Sequence, residues 1–97
     1  MNMQAMMQQA QKLQRDMLKA KKEIDEKTYV STQSFVTVES KGTKEIVKIT
    51  IDQDSLDKDD IEILEDLIVV AANENIKAIN KDTESKMGKF GGMAGLF

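Results

Sequence analysis

EIDEKTYVSTQSFVTVESKGTKEIVKITID, residues 23–52, is where the chain changes its period. Before it, apolar residues recur every three or four positions; within it, they alternate. Thr28 to Ser31 (TYVS) reads as a short strand, and Ser31 to Ser34 as a polar turn. The run from Ser34 sets Val36 and Val38 on one face and Phe35 and Thr37 on the other. Lys41-Gly42-Thr43 reads as a hairpin turn, with Gly42 supplying positive φ. The following run sets Val47, Ile49 and Ile51 against Lys48 and Thr50. Three short strands in succession predict an antiparallel meander between residues 28 and 52 with one buried face.

Upstream, Met3, Met6, Ala10, Leu13, Met17, Ala20 and Ile24 are spaced alternately by three and four. This heptad seam, with coiled-coil spacing, predicts a helix over 1–26. Met7 and Leu18 widen it. Met and Ala pack adaptably and specify weakly, so the seam is soft. Lys12, Arg15, Lys19 and Lys22 also step by three and four, on the face opposite the seam. Such a ridge is either a solvated surface or a track for phosphates.

Downstream, DQDSLDKDDIEILEDL opens a second helical segment, expected over 57–87. Asp54 or Asp57 can cap it, and acids in its first turn suit the positive end of the helix dipole. Ile61, Leu64, Leu67, Ile68, Ala71 and Ala72 form an inner face, extended by Ile63 and Val70. A helix apolar around most of its girth needs cover on two sides. Its own sheet supplies one side. A second copy meeting Leu64, Leu67, Ile68 and Ala71 would supply the other. Asn73, Asn75 and Asn80 weaken the helix, and a break near 80–83 is expected. Residues 88–97 carry four glycines and are expected to be a flexible tail.

Ninety-seven residues make a single domain with a small core, 40% hydrophobic and with only four aromatic side chains. Oligomerisation follows as an expectation. The absence of Cys and His removes disulfides, thiolate chemistry and the commonest general base and metal ligand. No apolar run reaches the length of a membrane span, and no signal-peptide core precedes the first helix. A soluble cytoplasmic protein is therefore expected. Net charge is −3, yet residues 1–22 hold five cations against Asp16. Between Asp52 and Asp66 eight acids face only Lys58. The molecule is bipolar.

The acidic run does not form a calcium loop. From Asp52, position 5 would be Leu56, position 6 Asp57 and position 12 Ile63, where oxygen ligands, Gly and Glu are required. The acids crowd a helix start instead of converging as a catalytic pair. No phosphate-binding glycine motif occurs. An enzyme, a metal, a cofactor and a small-molecule substrate are not expected.

The order of elements is helix, three-stranded meander, helix and Gly/Met tail. With it stand the strings MMQQAQKLQRDM (6–17), ITID (49–52) ahead of Ser55-Leu56, DDIEILEDLIVVAANENIKAI (59–79) and KMGKFGGM (86–93). In these the chain resembles the YbaB/EbfC family of nucleoid-associated proteins over essentially its whole length. The resemblance implies an α+β homodimer that binds double-stranded DNA in the nucleoid through projecting helices. Carried onto this sequence, the DNA-contacting residues are Lys12, Arg15, Lys19 and Lys22, with Lys86 and Lys89 near the end of the second helix. The chain departs from the family at STQS (31–34), where glycines are usual, and at DQDSL (52–56), where Pro is common. A protein-binding adaptor that docks a helix on the exposed seam is the alternative reading.

Overall fold

The structure, a computed structural model, describes residues 2–88 and residue 90. Its elements are α1 (Met3–Glu26), β1 (Thr28–Gln33), β2 (Val36–Lys41), β3 (Ile46–Ile51) and α2 (Lys58–Met87). The strands form one antiparallel sheet in the order β1-β2-β3. The predicted helix–meander–helix order is the observed one.

β1 runs two residues further than its pattern suggests. Gln33 pairs with Val36, so only Ser34 and Phe35 make the turn. Ser34 takes φ 52 to close it, a left-handed conformation that two-residue hairpins demand and non-glycine residues resist. The second hairpin corrects an expectation. Lys44, not Gly42, takes the positive φ there, at 74. Gly42 is required for a different reason. A Cβ on it would stand 1.7 Å from the backbone oxygen of Ile24, at the end of α1.

Val36 and Val38 are fully buried against Ala71, with Phe35, Leu64, Leu67, Ile68 and Ala72 packed around them. α2 lies across β1 and β2 and leaves β3 largely bare. Ile51 and Ile49 pair with Val36 and Val38, so they share the α2-facing side of the sheet. They nevertheless remain 39% and 42% exposed. The face expected to be buried is therefore covered only over its first two strands. The register also shifts between Glu39 and Ser40: Glu39 pairs with Lys48 and Ser40 with Ile46, leaving Val47 bulged and exposed. Ile61, expected on the inner face of α2, is exposed too.

α2 begins on an Asp57 cap. The Asp57 carboxylate accepts from the backbone N–H of Asp59 and Asp60, while the Asp57 N–H donates to the Asp60 side chain. The helix then runs without the break expected near 80–83. Three side chains account for its continuity. Asn75, buried, donates from Nδ2 to the Val38 carbonyl and to Ser40 Oγ, both at 2.9 Å. Asp82 accepts from the Tyr29 hydroxyl and the Lys27 ammonium. Thr83 donates to the Ile79 carbonyl at 2.7 Å. These three residues, each a weak helix former on its own, are thus bonded to the sheet, to Lys27 beside it or to the helix backbone.

Met17, Ala20 and Ile24 of α1 pack against Met87 and Phe90. Phe90, placed in the expected flexible tail, is buried there. Gly88, the first residue of that tail, caps α2, while Lys89 and residues 91–97 lie outside the described residues. The described residues extend 71 by 18 by 15 Å, with a radius of gyration of 19.3 Å. A compact chain of this length would have about 13 Å. The excess reflects the two long helices, α2 of 30 residues and α1 of 24, and residues 3–16 of α1 are all exposed. The first half of α1 projects from the body as an arm.

Candidate nucleic-acid interface

The arm is a helix because its residues favour one. Ala, Leu, Met, Gln, Lys and Arg dominate it, with no Gly or Pro. Asn2 caps it, its side chain accepting the Gln4 backbone N–H at 3.0 Å. Lys21 and Asp25, one turn apart, pair at 2.9 Å near its base. At its end, the Lys27 backbone N–H donates to the Ile24 carbonyl and the Gly42 N–H to the Lys27 carbonyl, both at 3.1 Å. This anchors the arm to the β2–β3 hairpin.

Lys12, Arg15, Lys19 and Lys22 are all exposed. They cover about 15 Å of helix axis at 1.5 Å per residue. Among the described residues, none of the four forms an ion pair. Helical spacing places Gln4, Gln8 and Gln11 on the same face, ahead of the cations, and all three are exposed. Their amides can donate to phosphate without charge. This part of the face was absent from the sequence reading because neutral amides do not register in a charge pattern. One turn beyond Lys22, Glu26 ends the cationic run.

The acids are held apart from it. Ile79 and Asn80 of α2 share a cavity with Ile24 and Asp25 of α1, whereas the capped acidic start of α2 is about 30 Å further along its axis. The bipolarity of the sequence is therefore a separation along the long axis of the molecule.

Lys86 is placed differently. Its ammonium lies 4.0 Å from the Asp82 carboxylate, which also holds Lys27 at 3.1 Å. Tyr29 donates to the same carboxylate, and the Lys27 ammonium sits 5.0 Å from the centre of the Tyr29 ring. The hydrogen bond from Tyr29, then that from Lys27, holds the Asp82 carboxyl below its ordinary pKa against the opposing effect of burial. Burial first, and the carboxylate beside it second, push the Tyr29 phenol well above its ordinary range. Lys86 thus belongs to a cluster that fastens β1 to α2, separate from the ridge. Lys89 is outside the described residues. The sequence offered no sign of this cluster, whose members stand 53 residues apart.

The residues expected at a subunit contact are already engaged within the chain. Ala71 is wholly covered by its own sheet, and Leu64, Leu67 and Ile68 are half-buried around it. The apolar surface left open lies beside them, at Ile63, Val69 and Val70 of α2 and Ile49 and Ile51 of β3.

The sequence profile of the YbaB/EbfC DNA-binding family matches residues 1–94. The chain belongs to this family. It is 41% identical to a nucleoid-associated protein of Clostridium novyi, covering 100% of this chain and 90% of that one. It is 45% identical to a nucleoid-associated protein of Lactococcus lactis subsp. cremoris, over 93% of each. The crystal structure of an uncharacterised Helicobacter pylori protein has the same fold. Its TM-score is 0.75 at 20% identity, over 93% of this chain and 97% of that one. Membership of the YbaB/EbfC family makes DNA the partner against which the arm is read. Among the described residues, no helix is long and apolar enough to cross a membrane.

Proposed function

We propose that this YbaB/EbfC protein binds duplex DNA as a homodimer, chiefly through phosphate contacts and with little sequence specificity, in the cytoplasmic nucleoid. The observation that carries the reading is the ridge: four exposed, unpaired cations on one face of a projecting helix. Phosphate contacts position a protein on DNA, and sequence is read by side chains aimed at groove edges. The ridge is lysine-rich, and lysine acts on phosphate as a point charge. The nucleoid-associated names of the clostridial and lactococcal relatives support the location.

Dimerisation rests on uncovered apolar surface. Ile49 and Ile51 continue the buried face of the sheet into solvent, and Ile63 and Val70 of α2 are exposed as well. Apolar surface left open in this way suits association with a second copy. Two copies joined there carry two arms, enough to clamp or bridge a duplex.

A second reading has its own observation. Met3, Met6, Met7 and Leu13 are 77%, 49%, 60% and 40% exposed, so the arm also offers a seam on which another protein's helix could dock. Salt separates the two. Binding of duplex DNA measured across a salt series should collapse steeply if phosphates are the target, whereas docking on the seam responds little. Scrambling the DNA sequence should matter far less than raising salt. Absence of binding at low salt contradicts the DNA reading.

A further inference from the structure

The base of the arm borders a cavity of about 330 Å³ between α1, the β2–β3 hairpin and α2, a volume within the range of small-ligand sites. Its apolar wall is formed by Ile24, Ile79 and Met87, each at most 3% exposed. Lys21 and Asp25 of α1, Thr43 and Lys44 of the hairpin and Asn80 of α2 supply the polar lining. Lys21 and Asp25 pair with one another at 2.9 Å. Lys44 and Asn80 are exposed. Among the described residues, neither of their side chains forms an ion pair or a hydrogen bond with the rest of the chain.

The backbone at Lys44 is a second observation. Lys44 holds φ 74, a conformation that glycine takes freely and a long side chain resists. The hairpin has a glycine, but two residues earlier, where the Ile24 carbonyl leaves no room for a Cβ. A cationic side chain thus occupies a strained position beside a cavity, and strain of this kind collects at ligand sites. The lining also defines the ligand. Two lysines against one aspartate leave it a single net positive charge. One cation, one neutral amide and an apolar wall suit a monoanion with an aliphatic body, whereas a phosphate monoester brings more charge than the lining offsets.

We propose that this cavity binds a small aliphatic monocarboxylate, its carboxylate held by the Lys44 ammonium and the Asn80 amide and its body set against Ile24, Ile79 and Met87. A ligand so seated touches α1, the hairpin and α2 together, and it favours the arm direction in which they close around it. The site uses none of the four ridge cations. The inference depends neither on DNA binding nor on the dimer.

Sodium hexanoate serves as the probe. Titrated into the full-length chain without DNA, it should shift the amide NMR signals of residues 21–25, 42–44 and 79–83, and the shifts should saturate. Hexanol, which has the same body without the charge, should bind about tenfold more weakly or worse, as the loss of a hydrogen bond between charged groups implies. Lys44→Gly should weaken hexanoate binding to the same degree while melting no lower than wild type, since glycine accepts the positive φ. Lys48→Gln, which removes a cation outside the cavity, should leave binding unchanged. Absence of saturable shifts at millimolar hexanoate would overturn the proposal. So would shifts centred on the exposed Ile49, Ile51 and Val70, hexanol binding as tight as that of hexanoate, undiminished binding by Lys44→Gly, or an equal loss in Lys48→Gln.

Discussion

Gly42 sits so close to Ile24 that a side chain would not fit between them: its Cβ would stand 1.7 Å from the Ile24 carbonyl oxygen. This is a backbone-to-backbone approach, so no rotamer change can relieve it. The contact fixes where α1 leaves the β2–β3 hairpin and hence where the arm points. Gly42→Ala should destabilise the protein by about 1–3 kcal/mol or more, as overpacking does in a site that cannot yield. Chemical denaturation checks the magnitude. The same variant should disturb amides at the base of α1 more than those of β1.

Ser34 has the opposite fault. It holds φ 52 in a two-residue turn, where Gly pays no steric penalty. Ser34→Gly should stabilise the fold by about 0.5–1 kcal/mol, the relief of left-handed strain less the entropy glycine adds to the unfolded chain. A rise of a few degrees in Tm is expected; a fall would mean that the Ser34 side chain holds the turn.

The Tyr29–Asp82–Lys27 cluster predicts the pH limits of stability. Asp82 has a lowered pKa in the folded protein. Its contribution is present above the unfolded carboxylate value, about 4, and is lost as pH falls through the folded value. Tyr29 has a raised pKa. Its contribution is present below the unfolded phenol value, about 10, and declines as pH rises beyond it. Tyr29→Phe should cost about 1.5–3 kcal/mol at neutral pH, the worth of a hydrogen bond to a charged group. It should also flatten the alkaline limb of a stability–pH curve. An unchanged alkaline limb would exclude the role assigned to the phenol.

Most of the fold was legible because local periodicity and local order agree. The change from helical to alternating spacing near Glu26, and the capping acids at Asp57, fall within a residue or two of the observed boundaries. What escaped depends on partners distant in sequence. Asn75 looks like a helix breaker until Val38 and Ser40 are seen beside it. Asp82 lies in the expected break at 80–83 until Tyr29 is seen to reach it. β3 has the pattern of a buried strand, and only the path of α2 reveals that it stays largely uncovered in the chain. The shared, exposed helical face of Lys12, Arg15, Lys19 and Lys22 was legible, since a helical face needs only spacing to define it. The surroundings of Lys86 were not, because Asp82 beside it belongs to a cluster assembled by the sheet.

The proposed dimer can be tested apart from the fold by choosing residues on either side of the uncovered boundary. Ile49 is substantially exposed in the single chain, so Ile49→Glu should leave the monomer folded and reduce the mass measured by light scattering to that of one chain. Leu67 packs against the buried valines, and Leu67→Asp should unfold the protein, since an unpaired buried charge costs several kcal/mol. A wild-type protein of one chain's mass at micromolar concentration would contradict the dimer.

The central claim, that the α1 ridge carries DNA binding, is tested most directly by changing Lys12, Arg15, Lys19 and Lys22 together to Gln. Gln keeps helix propensity near that of Lys and Arg, and the four side chains point away from the packed stripe, so the body and the dimer should survive. The measurement is the slope of log K against log salt for duplex DNA, wild type beside variant. If the ridge neutralises about four phosphates, the wild-type slope should be near −4 for each engaged arm, and the variant should bind more weakly with a flatter slope. A variant that binds as tightly as wild type, with the same slope, would place the DNA contact elsewhere on the molecule.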